Sequence, residues 1–437
     1  MNPFPPNTSE HEAWERQSVA GTAAVDKVHE AFNRWLGKEY DLDALDAVLC
    51  TAAAERLDGD PVWLLVVSGS GNAKTETVGA LAGAGAAVTS TVASEGALLS
   101  ATSHKDKAKD ATGGLLRKIG DEGLLVIKDF TSILSMNRDL RATVLAALRE
   151  VYDGKWERNV GTDGGRTLTW AGRIVLVGAV TTAYDQAHGV IASMGDRFAL
   201  VRMDSTAGRA SAGRQALANV GHEVAMRKEL ADAVSEVMAG LYASAAVLGD
   251  EDMDVLLTAA DLVTLSRTAV ERDFRGDPIE AHAPEMPTRF AKMLGQILRG
   301  GLALGMRRCC ARRIALRVAR DSVPPLRAAI LADVAKHPVT PTREVVKRVQ
   351  RPRTTVDRTL QELHLIGLLQ VEDGGYDTAW HYRLAEGVEE SAVRRLLLND
   401  HAYQECHKGS VTLPYPNTRC SDKSGEQDQL REARAPW

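Results

Sequence analysis

The residues best suited to chemistry form a short loop of glycine and serine between an apolar run and a helical run. The loop follows the apolar run Val62 to Val67 and reads Ser68-Gly-Ser-Gly-Asn-Ala-Lys-Thr75. Glycines allow the tight turn that directs backbone N–H groups at phosphate oxygens. We therefore predict a nucleotide-phosphate site formed by Ser68, Gly69, Ser70, Gly71, Asn72, Ala73, Lys74, Thr75 and Glu76.

Lys74 and Thr75 carry the most specific chemistry of this loop. Lys74 is predicted to contact the β and γ phosphates of ATP, and the Thr75 hydroxyl is predicted to bind Mg²⁺. The usual spacing, G-x-x-x-x-G-K-[ST], has glycine at the two positions that Ser68 and Ala73 occupy here. An ordinary loop that happens to precede Lys-Thr is the alternative, and residues further along the chain favour the phosphate site.

An acidic group follows the next buried strand and would complete the metal site. Leu124 to Ile127 is an apolar run typical of such a strand, and Asp129 follows two residues after Ile127. Asp129 is predicted to hold Mg²⁺ together with Thr75. A buried strand that ends in a turn aspartate is the alternative. The order of the two motifs along the chain favours nucleotide binding.

The carboxylate that would activate the attacking water is missing from its usual place. Many ATPases carry a glutamate directly after the metal-binding aspartate, but this chain has Phe130. We predict that Glu95, which follows the β-type run Ala86 to Val92, replaces it. A helix-capping role for Glu95 is an equal alternative. Glu150 and Asp153 are weaker candidates.

Two further polar residues are expected to contact the γ-phosphate or the lytic water. Thr181 follows the apolar strand Arg173 to Val180, and we predict that it acts as a sensor at the strand end. Arg197, with Arg202 as second choice, is predicted to act on the nucleotide site of a neighbouring subunit. A surface ion pair with Asp196 is the alternative for Arg197. The candidate catalytic residues are thus Lys74, Asp129, Glu95, Thr181 and Arg197, with Arg289 a weak candidate for a second sensor.

The elements that position these residues read as an α/β fold. Short apolar runs alternate with helical patterns, which predicts a parallel sheet covered on both faces. The predicted units are an N-terminal helical segment (1–58), an ATPase core with a parallel sheet (59–205), a helical lid or connector (206–321), a winged helix-turn-helix domain (322–386) and a largely disordered tail (387–437). A β-hairpin is predicted between residues 152 and 172, with Lys155, Arg158 and Arg166 as possible contacts to DNA or as solvated charges.

The unit from residue 322 onwards has the pattern of a winged helix. Three helical patterns precede two β-type runs that flank Asp373-Gly-Gly-Tyr, a hairpin signal. Six basic residues stand against two acids between Pro341 and Leu360. This local charge favours DNA over a protein partner, which is the alternative. The candidate DNA contacts are Lys347, Arg348, Arg351, Arg353, Thr354, Thr355 and Arg358.

Composition excludes several other classes. The chain has 437 residues with 44% hydrophobic residues and a net charge of −5, so any surface that binds nucleic acid must be local. It has no apolar run long enough to span a membrane, and the Pro-rich, acidic residues 1–12 lead us to expect no secretion. Five scattered cysteines favour a reducing compartment, and we expect a cytoplasmic protein without a membrane partner.

The motifs SGSGNAKT, LLVIKDF, REVYDG, GRIVLVGAVT and MGDRF, taken in order, resemble those of P-loop ATPases of the AAA+ and superfamily-three type from bacterial phages and mobile elements. The resemblance covers roughly residues 60–205. It implies ATP and Mg²⁺ as ligands, DNA as the substrate, and a homo-oligomeric ring such as a hexamer. Ser68, Ala73 and Phe130 depart from the common pattern.

Two functions follow as expectations. The first is an ATP-hydrolysing protein that acts on DNA as a helicase, loader or remodeller. The second is a transcription regulator in which nucleotide switches the winged helix and turnover is low. DNA-stimulated ATPase activity distinguishes the first from the second.

Overall fold

The computed structural model describes residues 9–102, 111–186, 196–206, 208–372 and 380–398. The predicted turn at Asp373 lies outside these residues, as do Met194, Gly195 and the predicted tail beyond residue 398.

Two helices precede the first strand, α1 (Ser9–Leu36) and α2 (Leu42–Ala54). The Asp41 carboxylate caps α2, because it accepts a hydrogen bond from the Ala44 N–H at 3.1 Å. At the other end of α2, Arg173 donates to the carbonyls of Ala54 and Glu55 at 2.7 and 2.8 Å. Helix α2 is therefore fixed at both ends and forms part of the core.

The central element is a five-stranded, all-parallel sheet in the described residues, in the order β2–β3–β6–β1–β7. An antiparallel hairpin, β4–β5, lies outside it. All five residues of β1 are buried, so both faces of the sheet are covered, as parallel sheets require. The predicted α/β class is thereby confirmed. The strands are β1 (Trp63–Val67), β2 (Ala87–Thr89), β3 (Glu122–Ile127), β4 (Lys155–Val160), β5 (Arg166–Ala171), β6 (Arg173–Val180) and β7 (Ala199–Arg202).

Short helices connect these strands. The longest begins at the cap Asn137, whose side chain accepts from the Leu140 N–H at 2.9 Å, and it buries an apolar stripe that includes Val144, Leu148 and Val151. The helices are α3 (Lys74–Gly79), α4 (Glu95–Leu98), α5 (Leu115–Ile119), α6 (Thr131–Leu134) and α7 (Arg138–Tyr152).

A helical region follows the sheet, and its last helix packs on β7 while the one before it packs on α2. The sequence predicts an almost wholly helical region, but the structure also contains the hairpin β8–β9. Its strands are largely exposed and lack apolar alternation, which explains why the pattern does not reveal them. The elements are α8 (Arg209–Ala218), α9 (Glu223–Ala239), α10 (Asp250–Arg267), β8 (Val270–Arg272), β9 (Pro278–Ala281), α11 (Thr288–Ala303) and α12 (Arg308–Ser322).

The C-terminal unit contains three helices followed by two paired strands. Its three-stranded antiparallel sheet has the order β10–β12–β11. A further helix stands at residues 390–397, where the sequence analysis expects a disordered tail, and it buries Val393 and Leu396 against the unit. The elements are α13 (Pro325–Lys336), β10 (Thr340–Pro341), α14 (Thr342–Val349), α15 (Arg353–Leu365), β11 (Leu369–Glu372), β12 (His381–Leu384) and α16 (Glu390–Leu397).

No helix in the described parts of the chain is both long and apolar enough to cross a lipid bilayer.

Candidate functional site

The carboxyl ends of the parallel strands meet at one edge of the sheet, which we call the loop edge, and this edge carries most of the predicted nucleotide site. The Ser68 N–H donates to the Val180 carbonyl at 3.2 Å, and the Phe130 N–H donates to the Ala179 carbonyl at 2.8 Å. Strand β6 therefore ties the loop after β1 to the turn after β3. The structure brings Lys74, Asp129 and Thr181 to the same edge.

The loop makes its turn with two residues in the left-handed region. Gly71 has φ of 78°, and Ala73 has φ of 52°. Ala73 is the position at which the usual spacing has glycine, and an L-residue adopts this conformation at a cost of about 1–2 kcal/mol. The backbone thus takes a glycine-type turn at the residue where glycine is expected.

Lys74 folds back across this loop. Its buried ammonium donates to the carbonyls of Ser68 at 2.8 Å and Gly69 at 2.5 Å. Burial lowers the pKa of Lys74, and the negative charge of Asp129 opposes this shift. The cation of the loop therefore lies within electrostatic range of the carboxylate after β3.

Ser68 has a function that glycine could not supply. Its hydroxyl donates to the Met203 carbonyl at 2.9 Å and accepts from the Asn72 amide at 2.7 Å. The same amide reaches the Asp204 carbonyl at 3.0 Å. The loop is therefore anchored to the end of β7 by side chains.

The residues after Lys74 divide between solvent and the protein. Thr75 is exposed beside Lys74. Glu76 pairs with Arg227 of α9 at 3.0 Å, and the Thr77 hydroxyl lies 2.8 Å from the Tyr40 hydroxyl. Thr75 is thus an exposed hydroxyl residue directly beside the buried Lys74.

Asp129 and Phe130 point in opposite directions at the end of β3. Asp129 is exposed, and its carboxylate accepts from the Ser132 N–H at 3.3 Å. Phe130 is fully buried and packs edge-to-face on Phe198 with ring centroids 5.1 Å apart. A carboxylate at position 130 would lie in the core, so this position cannot present one to solvent in the observed conformation.

Thr181 meets a partner that the sequence analysis does not identify. The Thr181 N–H donates to the Thr131 hydroxyl at 2.9 Å, and the two hydroxyls are 3.4 Å apart. Thr131 begins α6, two residues after Asp129. In the sequence, a hydroxyl residue two positions after Asp129 is the signal that could have identified this partner of Thr181.

Glu95 is engaged by the β4–β5 hairpin. It stands in the first turn of α4, and its carboxylate pairs with Arg158, which also donates to the Leu99 carbonyl at 2.9 Å. The other predicted basic contacts of the hairpin also bind within the chain: Lys155 pairs with Glu157 at 2.8 Å, and Arg166 donates to the Thr102 carbonyl at 2.8 Å.

Arg197 lies at the amino end of β7, at the edge opposite loop 68–75. Its side chain is 12% exposed and binds both oxygens of Asp153, at 2.8 and 3.3 Å. The proposed alternative partner, Asp196, instead accepts from the Phe198 N–H at 2.9 Å and the Tyr184 hydroxyl at 3.0 Å. The structure thus separates Arg197 from the loop of its own chain.

Arg202, the second choice for this role, and Arg289, the candidate second sensor, lie at different edges of the sheet. Arg202 ends β7 on the loop side and pairs with Asp185 at 2.7 Å. Arg289 pairs with Glu285 at 2.9 Å, and Lys292 of the same helix pairs with Asp60 at 2.8 Å. Because Asp60 precedes β1, the start of this helix lies at the amino edge of the sheet, away from loop 68–75.

The predicted DNA contacts fall into two sets. Exposed side chains on α14, on α15 and between them form what we call the basic surface: Lys347, Arg351, Arg353, Thr354 and Thr355. Arg348 binds both oxygens of Asp333 at 2.6 and 2.8 Å, and Arg358 binds Asp277 of the β8–β9 hairpin at 2.9 Å.

The chain matches no protein-family model, and no curated protein is similar to it in sequence. Function must therefore be inferred from the loop edge and the basic surface themselves.

Proposed function

We propose that the chain is an AAA+-type ATPase that binds ATP with Mg²⁺ at loop 68–75 and acts on DNA as a helicase, loader or remodeller of a phage or mobile element. The observation that carries this proposal is the loop itself. Ala73 takes a left-handed conformation, and Lys74 lies across the loop at the edge that also carries Asp129 and Thr181. The order of strands supports it, because β6 lies between β1 and β3.

The side chains at the loop edge fit a magnesium nucleotide. Thr75 and Asp129 are exposed oxygen donors, which hard cations prefer, and they would hold Mg²⁺. Bound Mg²⁺ would supply positive charge against the phosphate oxygens. Lys74 would move from the Ser68 and Gly69 carbonyls to the β and γ phosphates, and Thr181, aligned by Thr131, would orient the water.

The basic surface is the proposed contact to DNA, in a winged-helix arrangement. Arg353, Thr354 and Thr355 form the exposed first turn of α15, the part of a recognition helix that enters the major groove. Lys347 and Arg351 flank it and would contact phosphates. The order of helices α13, α14 and α15 followed by β11 and β12 supports this interpretation.

A homo-oligomeric ring, such as a hexamer, is part of the proposal. Arg197 lies at the amino edge of the sheet, so it would serve a phosphate site only across a boundary between two copies of the chain. For this it must leave Asp153, which holds it with two hydrogen bonds.

One observation favours the second candidate, a nucleotide-switched transcription regulator with little turnover. The side chain at position 130 is buried in the core, and the Glu95 carboxylate forms an ion pair with Arg158. The usual position thus carries no carboxylate, and the substitute carboxylate of Glu95 is engaged by Arg158, which would slow activation of water.

The central test is nucleotide binding by Lys74→Ala, measured with a fluorescent ATP analogue and Mg²⁺. Loss of a charged hydrogen bond costs about 1.5–3 kcal/mol, so we expect affinity to fall by about tenfold or more. Lys118→Ala, an exposed lysine on α5, is the matched control and should bind normally. Unchanged affinity in a folded Lys74→Ala protein would overturn the proposal.

ATPase assays with and without forked DNA separate the two candidates. A motor is expected to hydrolyse ATP faster with DNA and to lose strand displacement in Arg197→Ala, while the exposed Arg138→Ala retains it. A regulator would show ATP-dependent affinity for a duplex site and little stimulated turnover.

A further inference from the structure

A run of buried, charged side chains extends from α15 to the segment that carries Arg197. Its members are Glu362, Arg327, Arg267 and Asp196, with residue exposures of 5%, 8%, 4% and 3%. Charged side chains are almost never buried to this extent unless they are paired. The contacts of these four side chains therefore indicate which elements are linked and would move together.

Arg327 of α13 makes the first link. Its guanidinium donates to the Glu362 carboxylate at 3.0 and 3.2 Å. It also donates to the carbonyls of Ser266 at 2.9 Å and Thr268 at 2.7 Å, at the C-terminal end of α10. One guanidinium thus joins α15 to the residues on both sides of Arg267.

Arg267 makes the second link. Its guanidinium donates to the Phe198 carbonyl at 3.0 Å and lies 3.7 Å from the Asp196 carboxylate. It also stacks over the Phe290 ring at 4.8 Å. Phe198 and Asp196 are the residues on either side of Arg197, so Arg267 fixes the backbone from which Arg197 projects.

We infer that Arg327 and Arg267 are positioning residues that couple DNA binding at α15 to the placement of Arg197. This inference rests on the proposed function, in which Arg197 acts on a neighbouring nucleotide site. The guanidinium is planar, so its bonds fix directions as well as distances. Because these groups are buried and paired, breaking a link would leave a buried charge uncompensated, so a shift of α15 is transmitted to the end of α10.

The element with two states is the Arg197 side chain. In a single chain it binds Asp153, and in the proposed oligomer it would bind phosphate of the neighbouring subunit. A small displacement of residues 196–198 changes the balance between these partners. DNA binding would in this way control turnover without any contact between DNA and nucleotide.

The test compares Arg327→Lys and Glu362→Gln with the unsubstituted protein in three assays: affinity for ATP, affinity for a forked DNA of mixed sequence, and stimulation of ATPase activity by that DNA. Arg327→Lys replaces the planar guanidinium by a single ammonium and so removes the two-bond geometry, and Glu362→Gln keeps the side-chain size while it removes the negative charge that Arg327 binds. We expect both affinities to persist and the stimulation to fall about fivefold or more. Arg312→Lys is the matched control, since Arg312 binds the buried Asp252 at 3.0 Å away from this run, and its stimulation should persist.

Amide hydrogen exchange of residues 196–203 in the unsubstituted protein gives a second measurement that requires no variant. Forked DNA is expected to change exchange in this segment. If substituted proteins fail to fold, unchanged exchange on DNA binding overturns the inference. If they fold and are stimulated as strongly as the unsubstituted protein, the inference alone is wrong. An unsubstituted protein that shows no DNA-stimulated turnover overturns the motor function and the inference with it.

Discussion

Sequence patterns indicated which residues meet at the loop edge better than they indicated which basic residues form the basic surface. At the loop edge, Lys74, Asp129 and Thr181 come from three separate places in the chain and meet at the ends of adjacent strands. On α14 and α15 the candidates are neighbours in sequence, yet Arg348 and Arg358 bind acids of the chain itself. Closeness in sequence was thus a poorer guide to a shared site than position at the end of a buried strand.

The difference has a physical cause. Parallel pairing forces the carboxyl ends of strands to one edge, so a polar residue directly after an apolar run has a defined place. A basic residue on a helix has no such constraint, because its partner can come from anywhere. The partner of Arg348 is 15 residues away in sequence, and that of Arg358 is 81 residues away.

Replacement of Phe130 by glutamate tests the loop edge and should have the largest effect. The substitution supplies the carboxylate that many ATPases have at this place, but the observed side chain is fully buried against Phe198. We expect the free energy of unfolding to fall by about 3–5 kcal/mol, since the core loses an aromatic ring and gains a polar group.

Chemical denaturation measures this loss, with Phe130→Leu as the control that keeps the site apolar and should be less affected. A Phe130→Glu protein as stable as the original, with faster ATP hydrolysis, would show that position 130 belongs to the site rather than to the core.

Arg348→Ala and Arg353→Ala test the division of the basic residues. Arg348 donates two hydrogen bonds to the buried Asp333, so its loss should destabilise the fold by about 2 kcal/mol, in the range for charged hydrogen bonds. Arg353 is exposed, and its loss should change stability by no more than about 0.5 kcal/mol.

DNA affinity is expected to change in the opposite order, with the larger loss in Arg353→Ala. Arg353→Ala should weaken binding and reduce the salt slope of the affinity by about one unit if Arg353 contacts a phosphate. Melting temperatures check the predicted stabilities, and DNA affinities measured over a salt series check the predicted binding. Equal destabilisation by the two substitutions would contradict the division.

The sequence predicts the parallel sheet because apolar runs such as those of β1 and β6 must be buried on both faces. It does not predict the β8–β9 hairpin, because Glu271 and Ile279 are exposed and no alternation marks the strands. The partners of Glu95 and Arg197 were also beyond prediction. Arg158 and Asp153 are brought to them by packing, and no local pattern records such contacts.

Ala73→Gly is expected to have the smallest effect on stability, and it tests the backbone conformation of the loop most directly. Ala73 has φ of 52°, where glycine is favoured, so we expect glycine to raise the free energy of unfolding by about 1 kcal/mol. Ala142→Gly in the exposed face of α7 is the matched control, and it should lower stability by about 1 kcal/mol because glycine is a poor helix former. Opposite signs for the same chemical change would show that the strain belongs to the loop backbone. Loss of stability in both proteins would mean that residue 73 is not held in the left-handed region, and the comparison of this loop with a phosphate-binding turn would lose its main support.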